Sequence, residues 1–265
     1  MPGVQSGRFA VSSFEDSVLE LATPLVTGSL LPMAGMQALW LVHRVGFLPE
    51  PEGPTQGLHP GRGPALRVLF VGDSSVVGVG VDHTDKAVGA AFARAWSDQT
   101  GRAVHWRLCG EYGATVQGIT QRVVPQITDE PVDLIVVSAG TNDIMKRTPA
   151  TRFAQDFRRL VQQVRLRVGH VPVFVCQLPP MWSFPILPEP LRSWAGIRRD
   201  QLARHQRRVV ADLRDAVLFS GVERADSSLF ADDGFHPGAE GYRFWAEQLC
   251  SSWADRGVLS LPSKV

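Results

Sequence analysis

Three short apolar runs constrain this chain most: residues 66–71 (LRVLFV), 132–137 (VDLIVV) and 171–176 (VPVFVC). Each is rich in β-branched residues and offers apolar side chains to both faces. That pattern suits a parallel strand buried between two layers of helices. Residues 103–108 alternate and read as a further strand. Helix-like segments fall between and after these runs, at 87–100, 115–126, 149–168 and 193–213, and a last one covers 238–253. Strand–helix alternation of this kind predicts an α/β fold, a three-layer α/β/α sandwich with a mainly parallel sheet. In such a sheet ligands sit beyond the carboxyl ends of the strands.

Polar turns follow the strands at that edge. Gly72-Asp73-Ser74-Ser75 follows the first run, Gly113-Ala114-Thr115 follows 103–108, and Gly140-Thr141-Asn142-Asp143 follows 132–137. Asp233-Gly234-Phe235-His236-Pro237 comes much later, just before the last helix. A serine, a histidine with a carboxylate three residues before it, and turns able to supply N–H donors are what acyl transfer through a serine nucleophile requires. Each piece also has a plainer reading. Asp73, Ser74 and Ser75 are all good helix caps, and Ser75 competes with Ser74 for the nucleophile's place. His236 alone would be a surface histidine before a helix. Asp233 tilts the balance, because a carboxylate there can hold one imidazole nitrogen and leave the other facing a hydroxyl.

With these blocks in order, the chain resembles the SGNH hydrolases, the GDSL-like esterase/lipase family. Gly72-Asp73-Ser74 matches the first block, Gly113 the second-block glycine, Gly140 to Asp143 the third, and Asp233 to His236 the closing Asp-x-x-His. The resemblance implies Ser74 as nucleophile, His236 as base and Asp233 as its orienting carboxylate. It also implies an oxyanion hole from the Ser74 and Gly113 backbone N–H groups and the Asn142 amide. Two departures stand out. Ser75 replaces the leucine that often follows the nucleophile, and Cys109-Gly110-Glu111-Tyr112 stands where an asparagine often precedes the glycine.

Substrate information is expected in the proline-stiffened loop after the 171–176 run. There Met181, Trp182, Phe184 and Ile186 would either wall an apolar acyl or aryl group or pack on the domain. The expected activity is hydrolysis of short-chain, aryl or lipid-like carboxylic esters. Thioesterase, lysophospholipase or carbohydrate O-deacetylase activity in the same site are alternatives, as is a membrane-tethered non-catalytic binding module. No cofactor or metal is expected: Gly78-Val79-Gly80 does not extend into a dinucleotide fingerprint, and the three cysteines lack metal-ligand spacing. Those cysteines read as inert thiols. A net charge of +1 argues against a general nucleic-acid binder. The arginines at 198–199 and 204–208 read as the solvated face of a helix.

The amino-terminal part carries no charge over residues 21–42, yet it includes Pro24, Gly28, Pro32 and Gly35. Its acidic lead-in, Glu15, Asp16 and Glu20, is unlike a cleavable signal peptide. An apolar helical segment over 1–45 is expected, making a membrane contact, an oligomer contact or a hairpin on its own domain, with membrane association favoured. The location expected is intracellular or membrane-associated. Residues 46–64 are rich in proline and glycine and read as an irregular connector. The hydrolase domain is expected over 65–257.

Overall fold

The apolar runs become neighbouring parallel strands. The computed structural model describes residues 32, 33, 35–37, 48–219 and 226–254. Strands β1 (Gln56–His59), β2 (Arg62–Gly72), β3 (Arg102–Gly110), β4 (Leu134–Ser138), β5 (Val173–Cys176) and β6 (Ala216–Phe219) form one sheet in the order β1-β3-β2-β4-β5-β6. Only β1 is antiparallel to its neighbour; the other pairings are parallel. Set β1 aside, and the first parallel strand, β2, lies between the second and the third. The order in which the chain adds strands therefore reverses between β2 and β4, which opens a crevice beyond their carboxyl ends.

The helices are α1 (Ser74–Val77), α2 (Val88–Thr100), α3 (Val116–Gly118), α4 (Thr141–Met145), α5 (Ala150–Val168), α6 (Leu191–Ala211) and α7 (Ala239–Ala254). A π turn (Ile119–Val123) and a 3-10 turn (Val124–Gln126) carry on from α3. Successive strand side chains point to opposite faces, so the strands divide the core in two. Leu66, Val68, Phe70, Leu134 and Val136 pack with residues of α2 and α7, while Leu69, Val71, Ile135 and Val137 pack with residues of α5 and α6. Helix α5 shows how the sequence achieves this. Phe153, Phe157, Leu160, Val161 and Val164 recur at helical spacing and are all buried, leaving the arginines and glutamines between them outside. On the other face Trp253 reaches Trp96 and Phe174, with ring centres 6.0 and 4.7 Å away. Three layers result.

Two strands depart from the sequence reading. Residues 56–59 and 62–64 fall within the expected irregular connector yet are strand. Strand β1 is an edge whose side chains are exposed or half-buried, with Leu58 64% exposed, so it needs no apolar run. Its place comes from backbone pairing to β3. Strand β6 is short and was not expected. It pairs only with β5, at the opposite edge, and three of its four residues are only half-buried. The expected apolar amino-terminal extension finds little support. Residues 32, 33 and 35–37 are helical, and the Gln37 side chain donates to the Glu189 carbonyl (2.6 Å) and accepts from the Leu191 N–H (3.0 Å). The rest of residues 1–45 lies outside the described residues. Among the described residues no helix is long and apolar enough to cross a membrane.

Gly72 marks where the sheet meets the crevice. A Cβ at this position would fall 2.0 Å from the Ser138 carbonyl oxygen and 2.6 Å from the Val76 side chain. Backbone on the neighbouring strand cannot yield as a side-chain tip can. Gly72→Ala is therefore expected to cost about 3 kcal/mol. Urea unfolding should show a lower midpoint with an unchanged slope. An unchanged midpoint would mean that the strand ends can separate.

Candidate active site

Leaving the sheet at Gly72, the chain turns at once into α1. The Asp73 carboxylate caps this helix, accepting from the Ser75 N–H (3.1 Å) and the Ser75 hydroxyl (2.9 Å). Gly78, at φ 100°, ends it by donating its N–H to the Ser74 carbonyl. Capping is thus done by Asp73, and the Ser74 hydroxyl is left to face the crevice. It lies 3.0 Å from Nε2 of His236. Nδ1 of the same ring lies 2.6 Å from Oδ2 of Asp233, whose Oδ1 accepts from the N–H groups of Phe235 and His236, each at 2.9 Å. A carboxylate can only accept, so Nδ1 carries the hydrogen and Nε2 presents a lone pair to the serine. Ser75 stands outside this chain; its hydroxyl is engaged by Asp73 and by the Ser138 hydroxyl at 3.1 Å.

The histidine loop is fixed against the serine turn. Ala231 N–H donates to the His236 carbonyl, and Phe230 and Pro237 form a bridge. Gly80, at φ 107°, lets the Pro237 carbonyl approach to where a Cβ would stand 2.3 Å away. From α7 the Tyr242 hydroxyl donates to the Val79 carbonyl (2.7 Å). Phe235 and Tyr112 flank the imidazole, with ring centres 5.2 and 5.8 Å away.

Electrostatics follow from burial and partners. Ser74, Asp233 and His236 are each less than 9% exposed. Burial pushes the Asp233 carboxyl up, but the His236 ring and the two N–H groups outweigh it and hold the group below its ordinary value. Asp233 is therefore an anion at neutral pH. Burial, followed by the charge of Asp233, raises the Tyr112 hydroxyl. The Asp73 carboxyl is pushed up by its own burial, against the donors of Ser75.

One short helix organises the opposite side. From α4 the Asn142 amide donates to the Ala114 carbonyl (3.1 Å) and the Asp143 carboxylate accepts from the Val116 N–H (2.9 Å), while Lys146, which caps the helix, donates its ammonium to the Gly113 carbonyl (2.8 Å). Gly113 sits at φ 67° in the turn so held. Ser74, Asn142 and His236 open onto one cavity of about 920 Å³. Trp182 and Phe184 line it. Met181 is fully buried in the core instead, and Ile186 packs against that core, so neither faces the cavity. The 3-10 turn (Met181–Ser183) rotates successive side chains by about 120°, so Met181 and Trp182 face different ways.

Sequence reasoning missed Phe219, Trp245, Gln177, Arg199 and Arg207 as cavity walls. The reading of 198–208 as a solvated face is corrected at Arg199, whose side chain is 13% exposed. A signal existed: Arg199 shares a helical stripe with Leu202, Ala203, Gln206 and Val210, all buried. Cys176 also lines the cavity, but burial pushes its thiol up to about 12, which makes it a poor nucleophile. All three cysteines are free, and among the described residues no group of His, Cys, Asp and Glu could hold a metal ion.

Comparison with known proteins bears on the family and the fold. A GDSL-like esterase of Mycobacterium tuberculosis is 27% identical over 191 residues, which cover 69% of this chain and 60% of that protein. The match thus spans less than two thirds of the relative's length. A lipase from a goat rumen metagenome superposes with a TM-score of 0.56 at 15% identity, covering 71% of this chain and 97% of its own. A carbohydrate esterase family 2 enzyme from Corynascus thermopiles gives 0.56 at 15% identity, covering 74% and 68%. At such identities these two structures show the shared fold. Residues 70–244, well over half of the sequence, match the model of one family, and the chain belongs to it: the GDSL-like lipase/acylhydrolase family.

Proposed function

We propose that the protein is a serine esterase that hydrolyses carboxylic esters through an acyl-enzyme on Ser74. The observation that carries this reading is the unbroken chain from Asp233 through His236 to the Ser74 hydroxyl, at 2.6 and 3.0 Å, facing a cavity with aromatic walls. As Ser74 Oγ attacks the ester carbonyl, Nε2 of His236 takes its proton. The Asp233 anion stabilises the imidazolium that results. Negative charge gathers on the former carbonyl oxygen, and the backbone N–H groups of Ser74 and Gly113 with the Asn142 amide stabilise it there. Asn142 spends one amide hydrogen on Ala114 and has a second for this role, worth on the order of 3 kcal/mol in the transition state. The imidazolium then protonates the departing alkoxide, and water, activated by the same nitrogen, releases the acid. The hydrolase unit proposed is 65–257, extended at its amino end to take in β1 and the start of β2.

The aromatic cavity favours an apolar acyl or aryl group over a sugar. A panel of p-nitrophenyl esters of graded length will give the preferred size. A fluorophosphonate probe tests the nucleophile directly, because it traps the activated oxygen by forming a bond to phosphorus with loss of fluoride. Peptide mass spectrometry is expected to place the adduct on Ser74. An adduct on Ser75, or none on either, would overturn the reading.

A further inference from the structure

The cavity has a second polar end, away from the serine. Arg199 and Arg207 reach it from α6. With the Gln177 amide turned so that its oxygen faces them, that oxygen accepts from Nη2 of Arg199 and Nη1 of Arg207, each at 3.2 Å. The two nitrogens therefore lie within twice that distance of each other. Arg199 is held rigidly: Nε and Nη2 donate to the Leu178 carbonyl at 2.9 and 2.7 Å, and Nη1 meets the half-exposed Asp200 carboxylate at 2.9 Å. Its guanidinium carbon lies 5.4 Å from the centre of the Trp182 ring. Arg207 is exposed at the mouth. Among the described residues that line the cavity, Asp73 is the one carboxylic acid, and it is tied to Ser75 beneath the serine turn.

Two like charges this close repel, and a neutral ligand leaves that repulsion in place. An oxyanion set against them, beside the Gln177 oxygen, offsets it and meets the planar donor fork that the exposed Arg207 guanidinium offers to carboxylate and phosphate. Apolar walls strengthen the attraction by lowering the local dielectric. We propose that Arg199 and Arg207 form an anion subsite, so that the preferred substrate is an ester carrying a carboxylate or phosphate group beside its apolar part. This inference rests on the esterase reading of Ser74.

The test compares esters matched in length. Mono-p-nitrophenyl succinate against p-nitrophenyl butyrate puts the charge on the acyl side; para-acetoxybenzoate against phenyl acetate puts it on the alcohol side. In one of these pairs the anionic-to-neutral ratio of kcat/KM is expected to fall about tenfold or more in Arg207→Gln and Arg199→Gln. Arg207→Lys should keep part of it. Arg243→Gln, an equal loss of charge on α7 where Arg243 pairs with Glu240 and Glu247, should leave the ratio as it was. A second arm needs no turnover. Binding of mono-p-nitrophenyl succinate and of p-nitrophenyl phosphate to Ser74→Ala protein is followed through tryptophan quenching, with and without Arg207→Gln. Weaker binding of either ligand by about tenfold without Arg207 supports the subsite even if wild-type protein hydrolyses none of the esters, a result that would sink the esterase reading alone. Unchanged ratios in both pairs together with unchanged binding of both ligands would overturn the subsite and leave the esterase reading standing.

Discussion

Alanine at position 74 is expected to lower kcat on a good ester by a factor on the order of 10⁶, leaving only what binding and the oxyanion donors supply. The Ser74 hydroxyl is the oxygen 3.0 Å from Nε2 of His236. On the proposed mechanism, removing it takes away the bond-forming atom, with no substitute within the same hydrogen-bonded chain. The neighbouring substitution is the sharper half of the test. Ser75 also lines the cavity, but its hydroxyl serves Asp73 and Ser138. Ser75→Ala should cost about 1 kcal/mol of stability, as for an ordinary hydrogen bond, and keep the rate within about tenfold. Steady-state kinetics with an unfolding curve for each variant decides it. Equal loss of activity in the two would show that the turn, not one hydroxyl, carries the chemistry.

Replacing His236 with asparagine should be nearly as damaging, because the serine then has no acceptor for its proton. Asparagine keeps a polar group of moderate size between Phe235 and Tyr112, so the loop is expected to hold. More telling is the double variant, Ser74→Ala with His236→Asn. Groups that act as one unit lose their joint effect once, so the double variant should be no slower than the worse single one. Losses that multiply instead would mean that the two residues act in separate steps.

The sequence showed most of the sheet because burial on both faces leaves a plain record: the central parts of β2, β4 and β5 are largely apolar, with Arg67 the half-exposed exception in β2. Edge strands carry no such obligation. In β1, Gln56, Gly57, Leu58 and His59 are placed by backbone pairing with β3, which no side-chain pattern encodes. Strand β6 is four residues long and half-covered, too short to stand out after the arginine-rich helix. The site divides in the same way. Ser74, Asn142, Asp233 and His236 were legible because local turns present them, each spelled out within a few residues. The cavity walls were not. Arg199 and Trp245 belong to separate helices and come to line one cavity only through tertiary packing, and the inward face of Trp182 depends on the turn between Met181 and Ser183. A basic cluster on a helix looks solvated until the buried stripe is counted through it.

The separation between the serine and its histidine has a consequence for biosynthesis. They stand 162 residues apart, and the loop bearing the base is fastened by α7, through Tyr242 to Val79. A chain emerging from the ribosome displays its hydroxyl long before the imidazole exists. Throughout that interval the serine is an ordinary alcohol. On the proposed mechanism ester cleavage can begin only once the last helix has docked, so the growing polypeptide is chemically silent toward the esters around it.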